Sequence, residues 1–251
     1  MKKIFLNLIL VVIILTAISG IGICQPKIIL TTASNVEQVK IRLSGRGKVI
    51  IDWGDGTIDR ITNIYSFPDS SHSDYYHIYS DTLTRTIKII GGKFISIICS
   101  DNHLTNVDIS KNTKLRGLFC NNNQLTNLDV CKNRALKSLD CANNYLTNLD
   151  ISKNIKLWGL FCDDNQLIRL DLSANPLLYA LTCRRNDFSE IALNEMFETL
   201  CETKDENKKR KDEKYKLILA KYMYIDGNSG TDSCNKHIAE SKGWEIITWE
   251  N

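Results

Sequence analysis

The sequence predicts a mainly β protein with few helices. It reads as a solenoid of about five 21-residue coils with a parallel sheet on its concave face. A β-sandwich-like cap precedes the coils and a small α/β cap follows them. Three observations lead there. Cys99, Cys120, Cys141, Cys162 and Cys183 fall 21 residues apart. Aligning on them brings every other position of residues 94–193 into register. Outside that stretch the pattern stops: strand-like runs come before it, and alternating helix and strand signals come after it.

Taken in chain order, residues 1–24 read as a signal peptide. Lys2 and Lys3 precede an apolar run from Ile4 to Leu15, and small residues follow at Ala17, Ser19, Gly20 and Gly22. Cleavage is expected after Gly20 or near Cys24. An uncleaved membrane anchor is a rival reading, because the apolar stretch reaches Ile23. A lipid-modified Cys24 is a third, against which Ile23 stands where lipoprotein signals carry a small residue. The expected location is outside the cytoplasm: secreted, on the cell surface or in the periplasm. Any membrane contact is expected only through this segment.

Residues 25–92 form the N-terminal cap. They read as short strands at 27–32, 38–44, 49–53, 58–65, 76–79 and 85–90. Turns are expected at Ser44-Gly45-Arg46-Gly47 and at Gly54-Asp55-Gly56. Asp52, Asp55 and Asp59 hint at a metal loop, but a tight hairpin with Asp-Gly at its tip explains them better. The stretch from Ile51 through Trp53-Gly54-Asp55-Gly56 to Thr57, with His77-Ile78-Tyr79 after it, resembles the polycystic-kidney-disease β-sandwich. That family pairs W-x-F-G-D-G with H-x-Y. Here the tryptophan stands directly before Gly54, and the domain is shortened.

The coils occupy residues 93–193, with rows starting at Phe94, Leu115, Leu136, Leu157 and Leu178. The pattern is L-x-x-L-x-C-x-x-N-x-L-x-x-L-D-φ-S-x-N-x-x, with φ aliphatic. No single row buries that many apolar columns alone, so stacked coils share one core. The L-x-C segment alternates with period two and reads as a short strand. Cysteine acts there as a small apolar side chain, and free buried thiols are expected rather than disulfides. Two asparagine columns, Asn102, Asn123, Asn144, Asn165 and Asn186, then Asn112, Asn133, Asn154 and Asn175, should pair backbone groups left open by the turns. Asp108, Asp129, Asp150 and Asp171 repel by about 1 kcal/mol per adjacent pair in water. Turn N–H groups and nearby Lys111, Lys132 and Lys153 offset this. One carboxylate per coil is too few for calcium.

These rows resemble the short bacterial leucine-rich repeats, related to the internalin type and most similar to a group of exported Bacteroidetes-like proteins. Cys131 departs from Ser110, Ser152 and Ser173, a near-isosteric exchange. The resemblance implies a curved binding module engaged in protein recognition or adhesion.

Residues 194–251 should cap the last coil. A helix is expected at 193–201, a mixed-sign charge run at 202–214, a strand at 215–225, a turn at 226–230, a helix at 232–241 and a strand at 244–248. Cys201 and Cys234 both lie in this cap, and whether they bridge stays open.

No catalytic constellation is legible. His72, His77, His103 and His237 have no ligand spacing to one another or to a cysteine, and no nucleophile or phosphate-loop motif occurs. No cofactor or metal is expected. Of 32 basic residues two are Lys2 and Lys3, leaving 30 against 29 acidic, so net charge gives no reason to expect nucleic acid. Binding is expected on the concave face. One outward column is Ile98, Phe119, Asp140, Phe161 and Thr182. Flanking columns are Ile95, Arg116, Lys137, Trp158 and Tyr179, and Ser100, Asn121, Ala142, Asp163 and Arg184. Phe119, Phe161, Trp158, Tyr179, Arg116, Asp140 and Arg184 are the candidate ligand-binding residues, with a hot-spot composition. For Trp158 and Tyr179 boundary packing is an equal alternative. The partner reads as a protein, with a surface glycan or a purely structural envelope role as alternatives.

Overall fold

The computed structural model describes residues 27–64, 73–201 and 221–248. The expected signal segment 1–24 and the charged run 202–214 lie outside the described residues. The described elements are strands β1 (Ile28–Thr32), β2 (Gln38–Asp52), β3 (Ile58–Ile61), β4 (Ser73–Ile78), β5 (Thr86–Ile98) and β6 (Leu104–Asp108). Then come β7 (Gly117–Phe119), β8 (Ser138–Asp140), β9 (Gly159–Phe161), β10 (Ala180–Thr182), helix α1 (Glu190–Thr199), β11 (Lys221–Tyr224), helix α2 (Lys236–Ser241) and β12 (Trp244–Ile247).

The concave sheet is built as the 21-residue period demands. The end of β5 pairs in parallel with β7, and β7, β8, β9 and β10 follow in strict register, Leu118↔Leu139↔Leu160↔Leu181. These leucines and the five ladder cysteines are fully buried. One hydrophobic cluster runs from Ile28 in the first cap to Trp244 in the last. The chain is a leucine-rich-repeat solenoid with a capped core.

Both asparagine columns staple coils together. The Nδ2 of Asn144 donates to the carbonyls of Cys141 and Ala142 in its own coil and of Cys120 in the coil before, at 3.0, 3.2 and 3.1 Å. Its Oδ1 accepts from Leu125 N at 3.0 Å. Asn133, Asn154 and Asn175 likewise donate to two carbonyls of the preceding coil. The aspartate column closes turns: Asp108, Asp129, Asp150 and Asp171 each accept the N–H two residues on, at 2.8–2.9 Å. Hydrogen bonds from Cys131 and Ser173 hold Asp129 and Asp171 below the usual carboxylate range.

The first cap departs from expectation at its strand glycines. Ser44-Gly45-Arg46-Gly47 makes no chain reversal, and β2 runs through it as one bulged strand. Its register with β5 shifts at Ser44/Gly45 and again at Arg46/Val49. A β-carbon at Gly45 would collide with the carbonyl of Lys93, so glycine here permits close crossing of two strands rather than a turn. Opposite, Gly91 takes φ 88°, and β5 continues unbroken into the first coil. β1 then pairs with both β5 and β6, closing the first coil on its two sides.

The second cap begins as a disguised sixth coil. β11 pairs in parallel with β10, and Met223 and Ile225 fill the leucine and cysteine slots, fully buried. Asn228 takes the ladder asparagine's place, accepting from Asn186 N and donating to the carbonyls of Cys183 and Ile225. Helix α1 starts at Ser189, whose hydroxyl accepts from Ala192 N, and buries Leu193, Met196 and Phe197. Cys201 and Cys234 are separate free thiols.

Candidate functional site

On each strand the middle leucine points into the core, so the first and third residues face the concave side. Strands β7 and β9 read Gly-Leu-Phe, and β8 between them reads Ser-Leu-Asp. The phenyl rings do not stand out from the sheet as fully exposed anchors. Phe119 lies back against Gly117, its Cε2 3.0 Å from where a β-carbon would sit, and Phe161 lies against Gly159 in the same way at 3.2 Å. Both rings are half-buried.

Register places Asp140 between Phe119 and Phe161 on adjacent strands. Its Oδ1 accepts the N–H of Ala142 at 3.2 Å. Its other oxygen has no partner among the described residues. Burial pushes its pKa up, the Ala142 bond acts against this, and the charge of Asp163 adds to the rise. Asp163 is itself 7% exposed and is taken by Arg184, whose backbone N–H donates at 2.7 Å and whose Nη2 donates at 3.2 Å. The Arg184 guanidinium also lies 5.4 Å from the centre of the Tyr224 ring. Arg184 is therefore partnered by Asp163 and Tyr224. Arg116 is exposed. Trp158, 36% exposed, stacks on Tyr179 of the next coil with centroids 5.4 Å apart and planes 7° from parallel. The two rings stack on each other across the coils, and Trp158 stays partly exposed.

Sequence reasoning missed Ser138, which is 6% exposed with no hydrogen-bond partner among the described residues. It also missed Tyr224, which carries no repeat signature because β11 lies beyond the recognisable rows. A further column was overlooked: Asp101, Asn122, Asn143, Asp164 and Arg185 all take positive φ of 47–60°. Their side chains hydrogen-bond from coil to coil, Asn122 to Asp101, Asn143 to Asn122, and Arg185 to Asp164. The recurring Asn and Asp just before the ladder asparagine was the available signal.

A second cluster sits in the first cap. His77 stacks on Trp53 at 4.9 Å and meets Tyr79 edge-on at 4.6 Å. Its Nε2 lies 2.7 Å from Asp55 Oδ2. Tyr79 donates to the Trp53 carbonyl at 2.8 Å, and the Trp53 indole donates to Asp59 at 3.0 Å. Asp52 accepts from Gly54 N, so all three aspartates are tied into the β2–β3 hairpin. Burial opposes ionisation of Asp55, but hydrogen bonds from Thr57 and His77 outweigh it and hold the carboxyl well below its usual range. Among the described residues no group of three or more His, Cys, Asp or Glu is placed to hold a metal ion. No described helix is long and apolar enough to cross a membrane.

These features define a capped leucine-rich-repeat solenoid with a polar-aromatic concave face. No protein-family model and no curated protein matches the chain. Among solved structures, the functional domain of InlJ from Listeria monocytogenes, described as including a cysteine ladder, is 25% identical with a TM-score of 0.42, over 60% of this chain and 30% of that one. An internalin C2 from the same organism is 25% identical with a TM-score of 0.33, over 35% and 41%. An internalin, InlF, also from that organism, is 19% identical with a TM-score of 0.42, over 57% and 37%. The chain spans less than half the length of each of these structures.

Proposed function

We propose that this protein is an exported, non-enzymatic binding module that recognises a protein partner through its concave face, in adhesion or surface contact. The observation that carries the reading is the coincidence of Phe119, Asp140, Phe161 and Trp158 on one open sheet face, over an apolar core that repeats from coil to coil. Phe119, Phe161 and Trp158 match the aromatic enrichment of protein interfaces. A glycan reading is weaker, because one face each of Trp158 and Tyr179 is taken by their mutual stacking. Export rests on the basic-then-apolar residues 1–24. The first cap is proposed as a shortened polycystic-kidney-disease-like domain, supported by the packing of Trp53, His77 and Tyr79 at the β2–β3 hairpin.

The test is a binding screen of residues 25–251 against surface proteins and a polysaccharide panel, beside Phe119→Ala/Phe161→Ala, with circular dichroism confirming that both fold. A protein hit lost in the folded double variant supports the reading. A hit kept by it moves the site to a cap and sinks the concave face as the binding surface.

A further inference from the structure

We propose that the concave face contains a one-coil-wide slot, walled by Phe119 and Phe161 and floored by Ser138 and Asp140, that receives an arginine side chain of the protein partner. This deepens the concave-face reading and rests on it.

The slot follows from the alternation of rows. In coils two and four the first strand residue is glycine and the third phenylalanine, so each ring folds back over its own glycine. In the coil between, the same positions are Ser138 and Asp140. Strand register fixes Ser138 between Gly117 and Gly159, and Asp140 between the two phenylalanines. Parallel strands lie about 4.8 Å apart, so the two rings are separated by two strand spacings, with only short side chains between them. Ser138 Oγ lies 3.8 Å from where a β-carbon at 159 would stand.

The floor is polar and unmatched. Ser138 is more than nine-tenths buried, and its hydroxyl has no partner among the described residues. Asp140 keeps one oxygen free after accepting from Ala142. Its neighbour Asp163 already holds Arg184 with three hydrogen bonds. The Arg184 guanidinium is taken by Asp163, and Asp140 has no cation of its own among the described residues. Lys137 and Arg116 are exposed and form no ion pair with Asp140 among the described residues. A second cation would complete the set.

Arginine fits this combination better than lysine. Its planar fork donates to the free Asp140 oxygen and to Ser138 Oγ at once, and its flat faces meet the phenyl walls. Cation–π attraction and a partly desolvated carboxylate act in the same direction. A neutral planar group of the same shape keeps the stacking and loses the charge, which isolates the claim.

The experiment uses isotopically labelled full-length protein titrated with N-acetyl-arginine amide and, separately, N-acetyl-citrulline amide. Expected are saturable shifts at Ala142, Asp140 and the rings of Phe119 and Phe161 with the arginine probe, and binding of the citrulline probe weaker by about tenfold or more. Asp140→Asn should erase the difference. Equal binding of the two probes overturns the slot, as do shifts confined elsewhere or an arginine preference that survives Asp140→Asn. A partner from the screen that is lost with Phe119→Ala/Phe161→Ala but unaffected by Asp140→Asn also overturns the slot, while leaving the concave face standing. A partner retained by the double alanine variant instead sinks the concave face itself.

Discussion

The ring of Phe161 rests on Gly159, two residues earlier on the same strand, with Cε2 3.2 Å and Cζ 3.5 Å from the place a β-carbon would take. That contact, repeated between Phe119 and Gly117, lays each ring back along its own strand. The glycines serve ring packing here, since neither has the positive φ that would require glycine for backbone reasons.

Gly159→Ala therefore tests the wall without removing it. The added methyl pushes a flexible ring edge and meets no backbone, while alanine restricts the unfolded chain. Stability should be unchanged or rise by up to about 1 kcal/mol. The Phe161 ring should tilt and arginine-probe binding should weaken. Melting temperature and ring nuclear Overhauser contacts measure the two effects. A large stability loss would mean that the ring has no freedom to move.

Asn144→Ala should be among the most damaging single changes in the coils. It leaves the buried Leu125 N–H without an acceptor and removes one of two donors from the carbonyls of Cys120, Cys141 and Ala142, which keep Asn123, Asn165 and Asn122 N. Loss of about 2–3 kcal/mol is expected, chiefly from the orphaned Leu125 N–H at about 1–3 kcal/mol, with a smaller share from the lost carbonyl bonds. Asn122→Gly, on the exposed ladder one column out, should cost far less, because glycine keeps the positive φ of 56° and water replaces the hydrogen bonds to Asp101 and Asn143. Urea midpoints of the two variants provide the comparison.

Why the seam was legible in the sequence while the slot was not is a matter of periodicity. Asn144 repeats every 21 residues because every coil has the same backbone groups to satisfy, so alignment alone exposes its role. Ser138 and Asp140 break the glycine and phenylalanine of the neighbouring rows, and only the three-dimensional register shows that the break forms a floor between two walls. The bulges at Gly45 and Gly91 were read as a turn and a strand end, since glycine in a strand run carries the same local signal for a reversal and for a close crossing. The pairing of Arg184 with Asp163 is not legible locally, because Asp163 lies 21 residues earlier, on the preceding coil.

The cysteine ladder should be chemically silent in the folded state. Cys99, Cys120, Cys141, Cys162 and Cys183 are fully buried, and burial pushes the Cys99 thiol up to about 12 and raises the others as well. The thiolate is the reactive form, so both access and ionisation protect them. Among the described cysteines, Cys131 and Cys201 are only partly buried and should react first with a thiol-specific disulfide reagent. Peptide mapping after brief labelling checks this. Early modification of Cys141 in folded protein would show that the coils open locally.

Acid should loosen the first cap through Asp55. Its folded-state pKa is depressed, so its contribution to stability is full above the unfolded value of about 4 and is lost as pH falls from there toward the folded value. Protection of the Thr57 amide, which donates to Asp55 at 2.9 Å, should fade over that window. In Asp55→Asn this acid-dependent loss should be absent. Asp74, held low chiefly by Arg42, remains in the variant as an internal control.

Asp140 should behave with the opposite sign. Its folded-state pKa is raised, first by burial, so the folded form holds the proton more tightly than the unfolded chain does. The resulting stability is full below the unfolded value of about 4 and is lost as pH rises through the folded value. At neutral pH the ionised carboxylate therefore weakens the free protein, and Asp140→Asn should melt at a higher temperature than the parent chain. The gain should disappear in melts near pH 3, where the aspartate is protonated and resembles the amide. A cationic occupant of the slot should narrow the difference at pH 7, because it stabilises the ionised parent and not the variant. Asp140→Asn melting below the parent at pH 7 would instead mean that the carboxylate already has a compensating cation inside the folded chain.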